Sequence, residues 1–360
     1  MHRIGRKWLL ACALGFSVAA WGQTPTHPGL VAQDSLNGAD TAWMMTSRAL
    51  VLLMTLPGIA LFYGGMVRRK NALNTMASIV AVAALVSLLW FAVGYSIAFT
   101  PGSPWLGDGS RLWFSGLNYL KEAGKVAVSH VAPNVPESVY AMFQLTFAII
   151  TAALIVGALV ERMRFSAMLW FTGMWSIVVY APVAHWVWEP GGWLATMGVL
   201  DFAGGAVVHI NAGVSGLVCA YVLGPRKGYG KEPFKPYNLG FTMAGAGLLI
   251  DAVAGLACYW GATELKRLLN ADDSLDVFGV HGIGGIVGAL MNGVLANRTI
   301  SGVQGDVGIQ LLGVVAVLLY SATMSVLLLW VTKVIVGLRV DDASEEAGLD
   351  ISQHREQMGT

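Results

Sequence analysis

The stretch Asp201-Phe-Ala-Gly-Gly-Ala-Val-Val-His209, which continues as Ile-Asn-Ala-Gly, sets one histidine in an apolar, glycine-rich segment. A second segment has the same character and runs Asp276-Val-Phe-Gly-Val-His281-Gly-Ile-Gly-Gly. A titratable side chain at bilayer depth is costly and is by default a candidate for function. Small residues allow neighbouring helices to approach closely. The two segments therefore predict that His209 and His281 meet in one membrane-embedded site.

The composition around these segments is that of a membrane protein. The chain has 360 residues, of which 56% are hydrophobic and 12% charged, and this predicts an all-α polytopic membrane protein. The net charge of +1 gives no argument for a nucleic-acid partner. Cys12, Cys219 and Cys258 lie in apolar runs without the spacing of metal ligands. No cofactor and no metal are predicted.

The amino terminus has the three-part pattern of a secretory signal peptide. Basic residues at 1–7 precede an apolar run at 8–21 and a small-residue stretch. The alternative, a first anchor helix, is disfavoured because the run is shorter than the roughly 20 residues that a span needs. We expect a signal peptide at 1–22 and a mature amino terminus outside a bacterial inner membrane.

Apolar stretches of spanning length follow, and short basic loops separate some of them. The basic loops lie at 68–70, 161–164 and 225–235, after the first, third and fifth stretches, so the positive-inside rule places all three in the cytoplasm. The stretches run over 41–66, 73–99, 138–160, 165–185, 202–223, 239–262, 277–297 and 308–337.

The stretch 239–262 conflicts with the charge rule. If it crosses the membrane, Lys266, Lys333, Arg339 and the polar tail lie outside, against the positive-inside rule. If it is re-entrant, or otherwise fails to cross, these basic residues lie in the cytoplasm and the positive-inside rule is satisfied. Asp251 in its middle would place a carboxyl group at bilayer depth, so this stretch is the least suited of the eight to spanning the membrane.

Two other interpretations compete for the histidines. Each could bridge neighbouring helices as a satisfied structural side chain, and a lone intramembrane histidine makes this as plausible as a functional role. A metal or haem site is weaker, because neither helix carries a second ligand at ligand spacing. A neutral pair sharing one hydrogen bond would exclude a bare alkali cation and accept a small neutral hydrogen-bonding molecule.

Aromatic and acidic side chains could form an outer approach to this pair. Phe143 and Phe147 are four residues apart and share one helix face, which suits an aromatic gate or ordinary packing. Trp188 is typical of an interfacial belt, but together with Phe143 it could cage a cation. Asp201 could cap the fifth span or stabilise an arriving cation.

Several long blocks, in order along the chain, resemble the Amt/Mep/Rh family of ammonium transporters, in particular the bacterial Amt type. The resemblance implies a homotrimer with one pore per subunit, built from two inverted halves of five helices each plus a last helix. It also implies a pore in which Phe143 and Trp188 recruit ammonium, Phe147 is a gate ring, Asp201 lies near the outer site, and His209 and His281 are the twin pair. The blocks are 57–66, 154–166, 201–211, 276–282 and 337–350.

The resemblance is interrupted after residue 238. The segment that follows looks like the ninth helix of the family, so three central helices are missing, with an internal deletion near 238–241. The missing block carries the second gate phenylalanine and a hydroxyl of the outer site. The predicted domains are the signal peptide 1–22, a transporter domain over 23–337 with an incomplete second half, and a cytoplasmic tail over 338–360.

The leading hypothesis is ammonium or ammonia transport, with methylammonium as a possible second substrate. The alternatives are a non-conducting truncated paralogue and an ammonium sensor. The sensor is disfavoured because no signalling domain follows the tail. The loop 225–236 and the tail resemble surfaces that meet a P-II-type regulatory protein, although solvated loops explain the same residues. An enzyme is not expected, because no nucleophile–base set is found.

Overall fold

The structure, a computed structural model, describes residues 27–247, 255–356 and Met358. The predicted signal peptide at 1–22 and Asp251 lie outside the described residues. Within them, seven helical segments are long and apolar enough to cross a membrane, which confirms an all-α polytopic fold. In chain order, spans 1 to 7 are Gly38–Met66, Arg69–Phe99, Glu137–Leu159, Phe165–Thr196, Gly205–Leu223, Phe278–Leu295 and Val307–Val336.

Span 3 is the central helix of the bundle. In its most apolar 18-residue stretch 83% of the residues are buried, against 28–39% in the same stretch of spans 1, 2, 6 and 7. Polar side chains join spans 5 and 7 inside the bundle. Ser321 donates to Asn211 at 2.7 Å, and Ser325 donates to Ser215 at 2.9 Å. Between helices in an apolar medium, such hydrogen bonds and close contacts replace the hydrophobic effect as the source of association.

One end of the bundle is covered by the chain before span 1 and between spans 2 and 3. A small antiparallel sheet forms there, in which Gly29–Ala32 and Tyr119–Leu120 both pair with the middle strand Lys125–Val128. Tryptophans are frequent at this end, including Trp105, which packs on Trp186. We call it the tryptophan face.

The opposite end carries the arginines and is called the arginine face, defined by Arg68, Arg162, Arg226 and Arg339. Asp272 lies between two of them: its carboxylate accepts from Arg162 at 3.1 Å and from Arg226 at 2.8 Å. Arg226 also pairs with Glu161, which bonds Arg68. Burial alone would raise the pKa of Asp272, but the hydrogen bonds and charge of Arg226 hold it below its usual value.

The segment after span 5 begins and ends on the arginine face. At its start, the Asn238 backbone N–H donates to Gly65 and that of Tyr237 to Val67, at the end of span 1. It continues as helices Leu239–Gly247, Gly255–Trp260 and Lys266–Leu269. At its end, Leu269 accepts from Tyr221 of span 5, and Asp272 follows. Because both described ends of the segment lie on the arginine face, the contacts favour the re-entrant alternative over a crossing stretch.

The carboxyl-terminal tail also lies on the arginine face. Its helices are Asp342–Ala347 and Leu349–His354. The Asp350 carboxylate accepts from the backbone N–H groups of Leu73 and Asn74 at the start of span 2. Arg339 pairs with Glu345 at 2.7 Å. The tail therefore lies at the end of the bundle opposite to the small sheet that precedes span 1.

We predict that Asp272→Asn lowers the stability of the bundle by about 3–5 kcal/mol, because it leaves buried arginine charge unpaired. The matched control is Glu346→Gln, which removes one partner of the exposed Lys227–Glu346 pair and should leave stability unchanged. Thermal unfolding of the purified protein in detergent, followed by tryptophan fluorescence, measures both. Equal midpoints for Asp272→Asn and wild type would contradict the argument.

The same-side arrangement predicts the outcome of reporter fusions. A topology reporter inserted after Gly230 and another fused after Thr360 should give the same signal, because both positions follow an odd number of crossings. A reporter inserted after Lys121, in the tryptophan-face loop, is the control and should give the opposite signal. Opposite signals at 230 and 360 would show that 239–262 crosses.

Candidate functional site: a histidine pair below an aromatic cluster

His209 and His281 meet inside the bundle, as the sequence predicts. Their Nδ1 atoms are 3.2 Å apart, and the two rings are stacked with centroids 5.4 Å apart and planes 13° from parallel. The two side chains come from spans 5 and 6, which begin at opposite ends of the bundle.

Close helix approach brings the rings together. A Cβ built on Gly213 would lie closer than 3 Å to the Gly282 backbone, and one on Gly285 would lie equally close to Gly205 and to the Cβ of His209. Larger residues would force the two spans apart. Each histidine also lies in a π-helical turn, Gly205–Ile210 or Phe278–Gly282. Such turns are uncommon and often occur at functional sites.

The short Nδ1···Nδ1 distance restricts protonation. One Nδ1 must donate and the other must accept, so at least one imidazole is neutral. Two imidazolium rings would direct two N–H groups at each other. The pair can hold one shared hydrogen bond while its Nε2 atoms point elsewhere, and this arrangement suits proton relay or the binding of a small neutral molecule.

The predicted aromatic residues form a cluster on the tryptophan-face side. The Phe143 and Phe147 rings are edge to face at 5.0 Å between centroids, and Phe147 is edge to face with Trp188 at 5.9 Å. Phe99, which the sequence analysis did not select, stacks on Trp188 at 6.4 Å. It comes from the end of span 2, and nothing in its local sequence singles it out.

Asp201 caps span 5. Its carboxylate accepts from the backbone N–H groups of Gly205 at 2.8 Å and of Ala206 and Val207 at 3.0 Å. A carboxylate at a helix amino terminus complements the helix dipole. The carbonyl of Asp201 accepts from the Trp188 indole at 3.0 Å, so the cap also holds the ring. Its predicted role toward a cation stays a prediction.

The counterpart of Asp201 in the second half is Asp273, which the sequence analysis missed. Asp273 precedes His281 by eight residues, as Asp201 precedes His209, and it accepts from the backbone N–H of Phe278 at 2.7 Å. Asp276, which begins the quoted motif, instead pairs with Lys266 at 2.6 Å. The equal spacing of eight was the signal that could have found Asp273.

Burial raises the pKa of Asp273 from 3.8 to about 6. A carboxyl whose pKa is raised on folding contributes stability below its unfolded pKa and loses that contribution as pH rises through the folded pKa. Two pKa units correspond to about 3 kcal/mol. Between pH 4 and pH 7, wild type should therefore lose about 2–3 kcal/mol of stability relative to Asp273→Asn. Unfolding midpoints in detergent over this range test it; parallel pH profiles would contradict it.

The loop 225–236 and the tail meet on the arginine face. The Lys227 backbone N–H donates to Glu345. Phe234 lies between two guanidinium groups, with Arg68 4.2 Å and Arg226 4.5 Å from its ring centroid. The two surfaces that resemble a regulatory site are therefore one continuous surface.

The outward side of span 6 and of the helix before it is exposed. Span 6 has exposed apolar side chains on its outward side, with Val294 61% and Leu295 63% exposed. Tyr259, on the neighbouring helix Gly255–Trp260, is 71% exposed.

Comparison with known proteins gives the family. The family model of the Ammonium Transporter Family matches residues 42–252 and 247–359. The chain belongs to this family. It is 37% identical to an ammonium transporter of Aquifex aeolicus over 411 positions, covering 90% of this chain and 94% of that one. It is 36% identical to a putative ammonium transporter of Methanothermobacter thermautotrophicus, covering 89% and 98%.

Solved structures agree with this assignment. Candida albicans Mep2 superposes with a TM-score of 0.74 at 26% identity, over 87% of this chain and 89% of that one. Saccharomyces cerevisiae Mep2 gives 0.73 at 26% identity, over 85% and 91%. A protein described as a sensor Amt protein gives 0.74 at 20% identity, which shows a shared fold.

The comparisons also locate the missing part. The alignment to the Methanothermobacter protein has 409 positions, although 89% of this 360-residue chain is about 320 residues, so roughly 90 positions lack a counterpart. That is room for about three spans with their loops. The two matched segments overlap at 247–252, and the predicted junction near 238–241 stays a prediction.

Proposed function

We propose that this protein carries ammonium nitrogen across the membrane along the path from the aromatic cluster to the histidine pair. The observation that supports this best is the 3.2 Å contact of His209 with His281, retained although three helices of the family are missing. Phe143 and Trp188 recruit the cation, Phe147 gates the path, and Asp201 lies beside the entrance.

The chemistry of ammonium explains this order of sites. Aromatic faces attract a cation without the strong binding of a carboxylate, so Phe143 and Trp188 suit a transient outer site. Moving an ionised ammonium group into an apolar path is prohibitively costly unless it is paired. Loss of a proton before or at the histidines leaves neutral ammonia, which both donates and accepts hydrogen bonds.

The histidine pair accounts for selectivity in this proposal. A neutral imidazole nitrogen offers one lone pair or one N–H, which matches ammonia or the proton that it leaves behind. An alkali cation has no proton to release and would need several oxygen ligands. Sodium and potassium are therefore excluded by their chemistry.

The positive-inside rule places the arginine face in the cytoplasm and the mature amino terminus in the periplasm of a bacterial inner membrane. The contact of Lys227 with Glu345 supports one regulatory surface formed by the loop 225–236 and the tail, suited to a P-II-type partner. Exposed apolar side chains such as Leu50 and Leu88, on spans 1 and 2, are available to lipid or to the subunits of a homotrimer.

A second candidate function is ammonium binding without conduction, as in a sensor or a truncated paralogue. The missing length favours it, because roughly 90 positions of the aligned relative have no counterpart here that could complete the wall of the path. The two candidates share the outer site and differ in whether the path past His209 and His281 is sealed.

We predict that proteoliposomes with wild-type protein take up labelled methylammonium, and that His209→Ala or His281→Ala lowers the initial rate about 10–100-fold. Each change removes the hydrogen bond that the two rings share, and each tenfold loss of rate corresponds to about 1.4 kcal/mol. The matched control is His27→Ala, an exposed histidine before span 1, which should transport like wild type.

Two outcomes would count against conduction. If wild type matches empty vesicles but still binds methylammonium in detergent, the binding candidate replaces transport. If both histidine variants transport like His27→Ala, the pair is structural and the path lies elsewhere.

A further inference from the structure

A second titratable pair is buried at the tryptophan face. The Nε2 atom of His130 lies 2.7 Å from a carboxylate oxygen of Glu189. The side chains are only 2% and 3% exposed, although 59 residues separate them in the chain. His130 belongs to the outer loop between spans 2 and 3, and Glu189 follows the helix Ala181–Trp188 within span 4.

The position of Glu189 is electrostatically unfavourable. It is the residue that ends the helix Ala181–Trp188, and a carboxylate there faces the negative end of the helix dipole. Burying two polar side chains also costs much of what their hydrogen bond returns, so apolar side chains would stabilise the loop at least as well. Stability alone therefore does not account for this pair.

The pair is held by one contact. Among the described side chains, no hydrogen-bond partner reaches the second carboxylate oxygen of Glu189 or the Nδ1 atom of His130. His185, one turn earlier, directs its ring nitrogens at the backbone carbonyls of Ala98 and Ser103 instead. The orientation of Glu189 thus depends on His130.

This contact is one residue from the outer aromatic site. Trp188 is the last residue of the helix that Glu189 ends, and its ring touches Phe99 and Phe147. On the other side of the contact, His130 lies in a tight turn closed by the bridge between Ser129 and Ala132. The pair therefore ties the Trp188 end of the helix to the outer loop.

We propose that His130 and Glu189 are positioning residues for the outer aromatic site: their contact holds the Trp188 ring in the place where it receives a small organic or inorganic ammonium cation. The proposal rests on the function proposed above, since it assumes that this site binds the cation. According to this proposal, His130 and Glu189 change the affinity for the cation and leave the rate of passage at His209 and His281 unchanged.

The test measures binding and transport separately on the full chain. Tryptophan fluorescence of purified protein, titrated with methylammonium, gives the apparent Kd, and proteoliposome uptake gives KM and the maximal rate. For Glu189→Ala and His130→Ala we expect Kd and KM to rise about tenfold, with the maximal rate within about twofold of wild type. Glu189→Gln can keep a hydrogen bond to His130 and should recover part of the affinity. The matched control is Glu122→Ala, an exposed acidic residue of the same loop.

A protease test shows whether the His130–Glu189 contact holds the outer loop in place. Lys121 and Lys125 are exposed in the outer loop, and external trypsin should cleave there faster in Glu189→Ala than in wild type or Glu122→Ala. Faster cleavage with unchanged Kd would show a loop anchor only and would overturn the proposal, as would unchanged cleavage and unchanged Kd. If wild-type protein binds methylammonium but does not transport it, the conduction hypothesis is wrong. The comparison of Kd values would still test the positioning role of His130 and Glu189. A wild type that does not bind methylammonium would end both.

Discussion

The structure depends on a buried carboxylate that two arginines share. Asp272 begins the second half of the bundle, and Arg162 and Arg226 belong to the first half. Removing Asp272 leaves the buried Arg162 guanidinium without a carboxylate partner, which costs far more than the intact group contributes. The network therefore acts mainly as a constraint on geometry. It holds the start of span 6 on the arginine face, against the ends of spans 3 and 5.

The histidine contact follows from that constraint. With the start of span 6 held at one end, the glycines along spans 5 and 6 allow the two helices to touch at bilayer depth. Asp201 and Asp273 then cap the two spans from opposite ends, each eight residues before its histidine. The same pair, an aspartate eight residues before a histidine, thus occurs in two spans that run in opposite directions. Inverted repeats of this kind commonly place a transport site at their interface.

Most of this could be predicted from the sequence, and the exceptions have physical reasons. His209 and His281 stand out because polar groups are rare in apolar segments, and Phe143, Phe147 and Trp188 because their spacing and position are informative. Asp273 was missed because Asp276 begins a more visible motif. The contacts of Phe99 with Trp188 and of His130 with Glu189 join residues far apart in the chain. No local pattern carries such contacts, since they depend on how loops close over the bundle.

The non-crossing segment 239–269 explains how a large internal loss leaves a consistent topology. The two family matches meet at 247–252, inside the segment rather than at its start. The described parts on either side of this overlap, 239–247 and 255–269, both connect to the arginine face. The family resemblance implies eleven crossings, and seven helices of the described residues are long enough to cross, so the difference is four although the missing length equals about three helices. Four is even, so the tail keeps its side of the membrane. A cut at helix boundaries would have removed three crossings and inverted everything that follows.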